Sequence, residues 1–395
     1  MKIISINAGS SSLKFKLFEM KDESVLASGL FERIGIEGSN YTIKYDGNKV
    51  TEKAEMPTHS EAVSILLNRL IDLDIIKSLD EIEGIGHRVV TGGEKYKQSV
   101  LIDNKVIKDV EDCIELAPLH NPANIIGINA FKNALPNVKM AAVFDTAFHQ
   151  TMDPVSYIYP VPYDWYEKHR VRKYGAHGTS HKYIAETIAK ELGKDNLKVI
   201  SCHLGSGASI CAIKDGKCVD TSMGFTPIAG IVMGTRSGDV DPSIIPYIMV
   251  KETKNASEVL EDLNKKSGFL GLSGISSDSR DIENGVSDGN ERCILAQDKF
   301  VRTIVNYIAQ YYVLLGGCDA LVFTAGIGET SSLTRKMVVE SLSCLGFKLD
   351  SKANNVRAEL RKISAENSKS LVYVVPTDEE LMIARETVTL VKQNV

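Results

Sequence analysis

Two short segments of the chain combine the residue types that bind phosphate groups. The first, N-A-G-S-S-S at residues 7–12, joins an apolar run to an alternating one, which predicts a β-hairpin with an exposed turn. Gly9 adds no side chain there and the serines supply donors, so backbone N–H groups can surround an anion, and Lys14 can add a positive charge. The alternative interpretation is an ordinary hairpin with a polar turn.

The second segment, I-S-C-H-L-G-S-G at residues 200–207, repeats the first in mid-chain. It matches residues 4–10 at Ile, Ser, Gly and Ser without a gap, with His203 in the place of Asn7. Chance could produce one such match among turns. The alternative is a duplicated domain, in which two phosphate-binding hairpins face each other across a nucleotide cleft, as in actin and hexokinase. Neither hairpin fits a Walker A loop or a dinucleotide fingerprint.

Two arginines occur where an α/β protein places ligand contacts. Arg88 lies near the end of an apolar strand and is followed by the glycines of T-G-G at residues 91–93. Arg236 is the single basic group of a long, glycine-rich and mostly uncharged loop at residues 222–241. Loops of this length within compact chains are usually functional or disordered, and this one is too apolar for disorder. For Arg88 the alternative is a surface arginine at a strand end.

Three further segments have both a structural and a functional interpretation. The glycines of residues 325–330 predict either a tight strand-to-helix turn or a close approach to a base or ribose, and both can hold. Residues 277–281 predict a capping turn that could touch a ligand. The acidic residues at 378–380 open the last helix, where they are ordinary dipole partners unless that end faces the cleft and holds a metal. His177 and His181 have the spacing of a zinc pair, but no H-E-x-x-H glutamate accompanies them, and we reject zinc.

Length and composition limit the class of protein. A chain of 395 residues predicts two domains, which we place at residues 1–150 plus 383–395 and at residues 151–382. The net charge of −5, with both signs mixed along the chain, gives no basic patch for nucleic acid. The seven cysteines lack metal-site spacing and are interpreted as reduced thiols. With no signal peptide and no long apolar run, we expect a cytoplasmic protein without a membrane partner.

The elements that position these residues alternate between strands and helices, which predicts an α/β fold. Asp46-Gly47-Asn48 predicts a hairpin turn, and residues 58–61 predict a capping box that opens an amphipathic helix. Further helices are predicted at about residues 110–117 and 291–315, and a buried strand at residues 320–324.

Taken together, the motifs resemble those of the acetate kinases, within the superfamily of acetate and sugar kinases, actin and heat-shock chaperones. The resemblance spans the chain and rests on the order and spacing of several motifs, each weak by itself. They are N-A-G-S-S-S-L-K at 7–14, G-H-R-V-V at 86–90, A-P-L-H-N-P at 117–122, V-F-D-T-A-F-H at 143–149, Y-G-A-H-G-T-S-H at 174–181, C-H-L-G-S-G at 202–207, M-G-T-R-S-G-D-V-D-P at 233–242, T-A-G-I-G-E at 324–329 and T-D-E-E-L at 377–381. It implies duplicated actin-like (ribonuclease-H-like) domains, that is, two mixed sheets flanked by helices with a nucleotide cleft between them.

The resemblance also implies ATP-dependent, reversible phosphorylation of acetate to acetyl phosphate, and it gives each matching residue a role. Asn7 and Glu379 would hold Mg²⁺, with Mn²⁺ as an alternative. The groups that meet the ATP phosphates would be Lys14, His203, Leu204, Gly205, Ser206 and Gly207. The nucleoside, in ATP or ADP, would lie against Asp278, Ser279, Arg280, Gly326, Ile327, Gly328, Glu329 and Thr330.

For the acid, the resemblance implies that Arg88 binds the carboxylate and that His177 and Arg236 stabilise the phosphoryl group in transfer. The small apolar pocket for the methyl group would be formed by Val90, Leu119 and Pro227. The family assigns Asp145 an acid/base role. A carboxylate acceptor has a pKa of about 4 and is already ionised at pH 7, so we favour Asp145 as the residue that orients Arg88 or metal-bound water over Asp145 as a base, and the base stays the alternative.

Two positions depart from the family pattern, and two other functions stay open. Thr91 stands where the family often has His and Ser206 where it often has Asn, which we expect to change affinity more than activity. One alternative function is a propionate or butyrate kinase. The other is an actin- or chaperone-like ATPase, which would leave Arg88, His177 and Arg236 without a substrate. The resemblance further implies a homodimer formed through the second domain.

Overall fold

In a computed structural model of the protein, which describes residues 1–118 and 120–393, the chain divides into two compact units. The first unit contains Met1–Gln150 together with the chain from Asp378 onward, and the second contains Thr151–Thr377. The return to the first unit therefore lies at Asp378, whereas the sequence interpretation placed it at residue 383. Residues 378–382 belong with the first unit because the helix that they open packs on its sheet.

The described part of the first unit is built on a mixed sheet of eight strands. The strands are β1 (Lys2–Gly9), β2 (Ser12–Glu19), β3 (Ser24–Glu32), β4 (Asn40–Tyr45), β5 (Asn48–Lys53), β6 (Ile82–Val89), β7 (Val100–Leu101) and β8 (Met140–Phe144). Their order across the sheet is β5-β4-β3-β2-β1-β6-β8-β7. The β1–β6 and β6–β8 pairs are parallel, and the other neighbours are antiparallel.

The two predicted hairpin turns form as the sequence indicates. Gly9 pairs with Ser12, so β1 and β2 are joined by the two residues between them. In the turn between β4 and β5, Asp46 and Gly47 both have positive φ, at 42° and 73°. A two-residue hairpin loop with positive φ at both positions favours Asp-Gly, which confirms this prediction.

The helices between these strands are α1 (His59–Asp72), α2 (Asn104–Glu111) and α3 (Asn121–Ala134). The predicted capping box at residues 58–61 is confirmed at the start of α1. The predicted helix at residues 110–117 is wrong. Asp103 caps α2 by accepting a hydrogen bond from the Val106 N–H at 2.7 Å, so the helix begins earlier. Only a short 3-10 turn at Ile114–Leu116 follows it.

The described part of the second unit contains ten α-helices and a mixed sheet of six strands. The helices are α4 (Pro154–Tyr157), α5 (Asp164–His169), α6 (Gly178–Leu192), α7 (Ile244–Glu252), α8 (Ala256–Lys265), α9 (Gly268–Ser273), α10 (Ser279–Ser287), α11 (Glu291–Leu315), α12 (Ala325–Thr330) and α13 (Ser332–Ser341). The strands are β9 (Lys198–Leu204), β10 (Ala208–Lys214), β11 (Lys217–Thr221), β12 (Ala320–Thr324), β13 (Arg361–Lys362) and β14 (Leu371–Val374). The predicted helix at residues 291–315 and the predicted strand at residues 320–324 are confirmed at both ends.

The sheet of the second unit repeats the topology of the first. Its order is β11-β10-β9-β12-β14-β13, with β9–β12 and β12–β14 parallel and the other neighbours antiparallel. Three antiparallel strands followed by two parallel ones occur in both sheets, as β3-β2-β1-β6-β8 and as β11-β10-β9-β12-β14. Two mixed sheets flanked by helices were the predicted fold class, and they are confirmed. The shared strand order supports a duplication, since one hairpin opens each copy.

The last helix, α14 (Glu379–Gln393), packs on β1, β6 and β8 of the first unit. The contact is close because β6 carries Gly86, where any added Cβ would overlap Ile383 and Thr387 of this helix. On the other face of β6, the His87 ring packs edge-on against Phe131 of α3, at 5.5 Å between ring centres. Layers on both faces hold β6 rigidly, so the side chain at its end is well positioned. Among the described residues, no helix has the length and apolar character that a membrane span requires.

Candidate functional site

In the first unit, polar side chains gather where the parallel strands end. Asn7 lies on β1, Arg88 on β6 and Asp145 directly after β8, while Glu379 and Glu380 open α14. Because β1, β6 and β8 are adjacent and parallel, their carboxyl ends meet at one edge of the sheet. We call these five residues the carboxylate cluster.

Arg88 and Asp145 form the centre of the carboxylate cluster. The Arg88 Nε and Nη2 atoms both donate to Asp145 Oδ2, at 2.9 and 2.5 Å, and Nη1 donates to Asn7 Oδ1 at 3.3 Å. The Asp145 side chain is 1% exposed and that of Arg88 is 26% exposed. The adjacent Asp145 charge raises the pKa of Arg88. Asp145 therefore holds the Arg88 guanidinium at Nε and Nη2, while part of the side chain stays accessible to a ligand.

Two neighbouring carboxylates of α14 are in different electrostatic states. Burial, together with the negative charge of Asp145, raises the pKa of Glu379 to about 7. Burial also acts to raise the pKa of Glu380, but its ion pair with Lys14 outweighs this effect and lowers the pKa. Lys16 donates to Asp378 at 3.0 Å, which neutralises the other side of this helix start. Glu379 is thus the carboxylate of this group with too little positive charge around it.

The donor atoms of the carboxylate cluster fit a hard divalent cation. Asn7 offers an amide oxygen, and Glu379 and Asp145 offer carboxylate oxygens, which are the ligand types of Mg²⁺ and Mn²⁺. The raised pKa of Glu379 indicates that the cluster has excess negative charge, which a bound cation would relieve. Lys14, for which the sequence predicts contact with ATP phosphates, has its amino group on Glu380 in this structure.

The residues predicted to surround the methyl group fall in different parts of the chain. Val90 lies just past β6, where its N–H donates to Asn124 Oδ1 at 3.1 Å. Pro227 belongs to the second unit, and Leu119 lies outside the described residues. Next to Val90, Thr91 is buried, and its hydroxyl oxygen accepts a hydrogen bond from the Gly93 N–H at 3.0 Å. The departure of Thr91 from the family pattern therefore concerns the turn that follows the strand.

In the second unit, two side chains converge on the turn that joins β9 to β10. The turn is tight, with the Gly205 N–H donating to the Gly207 carbonyl at 3.1 Å. A Cβ added to Gly207 would lie 3.4 Å from Arg236 Nη1 and 3.5 Å from His177 Nε2. Both nitrogens therefore face the same small space, and we call His177, His203, Gly207 and Arg236 the transfer cluster.

Serine hydroxyls fix the histidines of the transfer cluster. His177 precedes α6 with φ of 60°, and its Nδ1 lies 2.9 Å from the Ser209 hydroxyl. Its ring stacks on that of His203 at 4.1 Å, and His203 Nδ1 lies 2.8 Å from the Ser180 hydroxyl. His181, which the sequence paired with His177 only by spacing, bonds to Ser209 through Nε2 at 2.8 Å. These bonds fix the His177 ring with Nε2 directed at Gly207.

Arg236 carries a positive charge that no carboxylate of the described residues neutralises. Its Nη1 donates to the Pro227 carbonyl at 3.2 Å, and its backbone carbonyl accepts from the Met233 N–H at 3.1 Å. Within the described residues, no carboxylate lies at ion-pair distance from its guanidinium, and burial lowers its pKa. A partly buried cation without a carboxylate partner is costly unless a ligand supplies the negative charge.

Next to the same turn, the second unit contains a cavity of about 410 Å³. This volume is in the range of small-molecule sites. It is lined by Gly205, Ser206, Ser277, Asp278, Ser279, Arg280, Gly326, Ile327, Thr330 and Arg357. The structure thus brings part of the predicted phosphate turn together with most of the predicted nucleoside residues.

Several predicted contact residues shape this cavity without lining it. Glu329 Oε1 accepts hydrogen bonds from the backbone N–H groups of Ala325 and Thr377, at 2.8 and 3.1 Å. The Gly328 carbonyl accepts from Arg335 Nη1 at 2.9 Å, and the Leu204 side chain is fully buried in the core. The predicted contacts of these residues with the nucleotide stay predictions. In the structure, Glu329 and Gly328 form hydrogen bonds that stabilise the turn after β12, and Leu204 packs in the core.

Sequence reasoning missed Ser277 and Arg357 among the lining residues. Ser277 was included only as part of a capping turn. Arg357 lies in a polar stretch between α13 and β14 that contains no motif, so nothing in the sequence directs attention to it.

Comparisons with known proteins agree on one family. The sequence profile of the acetokinase family matches residues 2–385. The acetate kinase of Bacillus subtilis (strain 168) is 57% identical over 99% of this chain and 100% of its own. A crystal structure of Porphyromonas gingivalis acetate kinase has a TM-score of 0.95 and 47% identity, covering 98% of this chain and 99% of that one. A propionate kinase structure from Francisella tularensis subsp. tularensis SCHU S4 has a TM-score of 0.93 and 42% identity, with the same coverage.

Proposed function

The chain belongs to the acetokinase family, and on that premise we propose that it transfers the terminal phosphoryl group of ATP reversibly to acetate, giving acetyl phosphate and ADP. One observation of the structure supports this proposal most directly. A nucleotide-sized cavity in the second unit opens beside a glycine turn on which His177 Nε2 converges with Arg236, an arginine that has no carboxylate partner among the described residues. Such an arrangement suits a phosphoryl group, whose negative charge is redistributed over its oxygens during transfer.

In this proposal the transfer cluster acts by electrostatics. Phosphoryl transfer spreads negative charge over the equatorial oxygens, so preorganised donors lower the barrier more than covalent chemistry would. Arg236 has a planar fork that can hold two phosphoryl oxygens, and His177 presents a single nitrogen beside it. The Ser209 bond fixes the His177 ring before the substrate arrives, so little reorganisation is needed during the reaction.

Arg88 would bind the acetate carboxylate with the edge that Asp145 leaves open. The Arg88 side chain is 26% exposed although Asp145 holds Nε and Nη2. Acetate is ionised at neutral pH, so it needs no base to become a nucleophile. The geometry therefore supports Asp145 as the residue that orients Arg88.

The proposed reaction also requires Mg²⁺, which Asn7 and Glu379 would bind. When bound, it would supply positive charge to the phosphate oxygens of ATP. Binding of Mn²⁺, measured by electron paramagnetic resonance without any substrate, tests this assignment. Glu379→Gln should weaken Mn²⁺ binding by at least about tenfold, whereas Glu366→Gln, an exposed glutamate of the second unit, should leave it unchanged. Equal affinity in both variants would contradict the assignment.

We propose direct, in-line transfer without a phospho-enzyme. A donor with a chiral terminal phosphorus distinguishes the routes, because one displacement inverts the configuration and two restore it. Inversion is the expected result. Retention would show that an enzyme group carries the phosphoryl group between the substrates.

Trapping the acyl phosphate with hydroxylamine identifies the acid. The reaction is run with ATP, Mg²⁺ and acetate, propionate or butyrate in turn, and the hydroxamate is measured. We expect acetate to give the highest kcat/KM. A preference for propionate is the second candidate, which the likeness to the Francisella tularensis propionate kinase favours. ATP hydrolysis without hydroxamate from any acid would remove the kinase proposal in favour of an ATPase.

The proposal includes a homodimer and a cytoplasmic location. Helix α7 supports the dimer, since Ile244, Tyr247 and Val250 are 41%, 61% and 81% exposed at a spacing of three residues along one face. None of the residues of α7 is buried, although most are apolar. An apolar helix of this kind is typical of a surface that a second copy covers. Light scattering of Val250→Glu should show monomer if this face forms the interface, and an unchanged dimer would exclude it. Cell fractionation tests the location.

A further inference from the structure

We propose that Arg357 is a further nucleotide-binding residue, which contacts the nucleoside, and that the buried Arg335 is the residue that positions it. This inference rests on the proposed function, because it assigns ATP and ADP to the cavity that Arg357 lines. Neither residue belongs to any of the motifs that identify the family, and both lie in the second unit.

Arg335 is a fully buried arginine whose hydrogen bonds within the described residues all go to uncharged oxygens. Its Nε donates to Asn354 Oδ1 at 2.8 Å, and Nη1 donates to the Gly328 carbonyl at 2.9 Å. Its Nη2 donates to the carbonyls of Asn354 and Val356, at 2.7 and 3.0 Å. Burial lowers its pKa to about 10, which shows that the charge is held at a cost. These four hydrogen bonds hold the buried guanidinium between Gly328 and residues 354–356.

Arg335 fixes two parts of the cavity wall to each other. Gly328 belongs to α12, the element that also contributes Gly326 and Ile327 to the lining. Asn354 and Val356 belong to the loop that carries Arg357. One guanidinium therefore sets the distance between the glycine turn and this loop. Only arginine has donors in a planar fork that can reach three carbonyls and an amide oxygen together.

Hydrogen bonds hold the backbone of the residues on both sides of Arg357. The carbonyl of Val356 accepts from Arg335, and the N–H of Ala358 donates to the Glu329 carbonyl at 3.1 Å. Ala358 has φ of 49°, a left-handed conformation that such bonds stabilise in a non-glycine residue. Among the described residues, none forms an ion pair or hydrogen bond with the exposed Arg357 guanidinium. The fixed backbone thus places at the cavity a guanidinium that has no hydrogen-bond or ion-pair partner among the described residues.

The ends of α12 show which part of the nucleotide Arg357 meets. A Cβ added to Gly205, in the phosphate turn, would lie 3.8 Å from the Cβ of Ala325, at the start of α12. The Arg357 loop is attached to Glu329, near the other end of this helix. Ala325 and Glu329 are four residues apart, about 6 Å along α12, so the loop that carries Arg357 is attached away from the turn that would hold the phosphates. A guanidinium at the nucleoside end can stack on the face of a purine base.

The first test measures nucleotide affinity by isothermal titration calorimetry in the absence of acid. Arg357→Ala should weaken binding of ATP, ADP and AMP by the same factor, about tenfold, since all three share the nucleoside. The control is Arg361→Ala, an exposed arginine nearby whose partner is Glu359 at 3.2 Å. A loss that grows from AMP to ATP would place Arg357 on the phosphates and overturn the nucleoside assignment.

The second test asks whether Arg335 acts through Arg357. Arg335→Lys keeps the charge but loses the fork, and it should weaken ADP binding by about the same factor as Arg357→Ala. In the double variant the two losses of affinity should not multiply. Once Arg357 is alanine, the change at Arg335 has no guanidinium left to displace. Losses that multiply fully would show that Arg335 has only a structural role and would overturn its positioning role.

A milder variant covers the case in which Arg335→Lys does not fold. Asn354→Ala removes the acceptor of Arg335 Nε, and it should show the same lack of additivity with Arg357→Ala. Far-ultraviolet circular dichroism and thermal unfolding confirm that each variant is folded before titration. Wild-type protein that binds no ATP would overturn the proposed function together with this inference. Wild-type binding with unchanged affinity in Arg357→Ala would overturn this inference alone.

Discussion

Replacing Arg236 with alanine should slow phosphoryl transfer strongly while leaving the protein folded. The substitution removes a hydrogen bond of 3.2 Å to the Pro227 carbonyl, which is a loss of about 1 kcal/mol in the free energy of unfolding. It also removes a half-buried charge that no described carboxylate neutralises, which is a gain. The two effects oppose each other, so we expect the stability to change by less than about 1 kcal/mol.

The effect on catalysis should be much larger. Arg236 Nη1 and His177 Nε2 face one small space beside Gly207, where a phosphoryl oxygen would lie at about 4 Å from the guanidinium charge. At an effective dielectric constant of about 20, one unit of charge at that distance is worth about 4 kcal/mol. Since about 1.4 kcal/mol corresponds to a factor of ten, kcat should fall by about three orders of magnitude. Arg236→Lys keeps a point charge without the fork and should recover only part of this loss.

The assay is the hydroxamate trap at saturating ATP and acetate, with ATP affinity measured separately by calorimetry. ATP affinity should stay within about threefold of wild type, because Arg236 does not line the cavity that would hold the nucleoside. Arg361→Ala serves as the matched control, since it removes an exposed arginine that does not line the cavity. Guanidinium added to the buffer should partly restore the activity of Arg236→Ala and leave the control unchanged. If kcat of the folded variant stayed within a few-fold of wild type, the role assigned to Arg236 would be wrong.

Three further predictions test other parts of the structure. Asp145→Asn should raise the acetate KM by about tenfold or more, because Arg88 loses the charge that orients it; an unchanged KM with a lost kcat would instead favour Asp145 as a base. Gly326→Ala should raise the ATP KM by about tenfold without loss of stability, since an added Cβ meets no protein atom within 4 Å and would enter the cavity; an unchanged ATP KM would show that no ligand approaches Gly326. His87 is fully buried, and burial lowers its pKa from 6.5 to about 3, so the unfolded state binds one more proton between these values. Stability should therefore fall by up to about 1.4 kcal/mol per pH unit as the pH drops through this window, and His87→Leu should remove that part of the slope in urea unfolding between pH 4.5 and 7; equal slopes would exclude this effect.

The sequence predicts those elements whose local pattern and tertiary packing agree. The helix at Glu291–Leu315 and the strand at Ala320–Thr324 were predicted to the residue, because a long periodic run and a short apolar run each have one stable solution here. The prediction of a helix at residues 110–117 was wrong because Asp103 caps a helix that begins at Asn104. An N-cap residue fixes the first turn of a helix more firmly than the spacing of apolar residues fixes its last turn. The repeat of the opening hairpin has few identities, but it indicated the duplication correctly, because both sheets contain three antiparallel strands followed by two parallel ones.

The residues of the site divide according to whether the backbone or a remote contact positions them. Residues on glycine turns, such as Gly205 and Gly326, could be found because the turn itself is the feature. Arg357 could not, since its position depends on Arg335, and a buried arginine bound to carbonyl groups leaves no pattern in the sequence. Glu329 was predicted as a nucleotide contact from its place in the motif, but the direction of its side chain, toward the backbone N–H of Ala325, follows only from the folded turn.

The two units have opposite electrostatic deficits, and both fit the proposed transfer of a phosphoryl group from a metal-bound nucleotide. In the first unit, burial and the Asp145 charge raise the pKa of Glu379 to about 7, which indicates too little positive charge. In the second unit, Arg236 has no described carboxylate at ion-pair distance, which indicates too little negative charge. Each deficit lowers the stability of the unliganded protein, and the proposed substrates relieve both, a divalent cation at Glu379 and phosphoryl oxygens at Arg236. An ATPase that only switches shape would need the nucleotide contacts, but it would have no use for the partly open Arg88 that Asp145 holds in place.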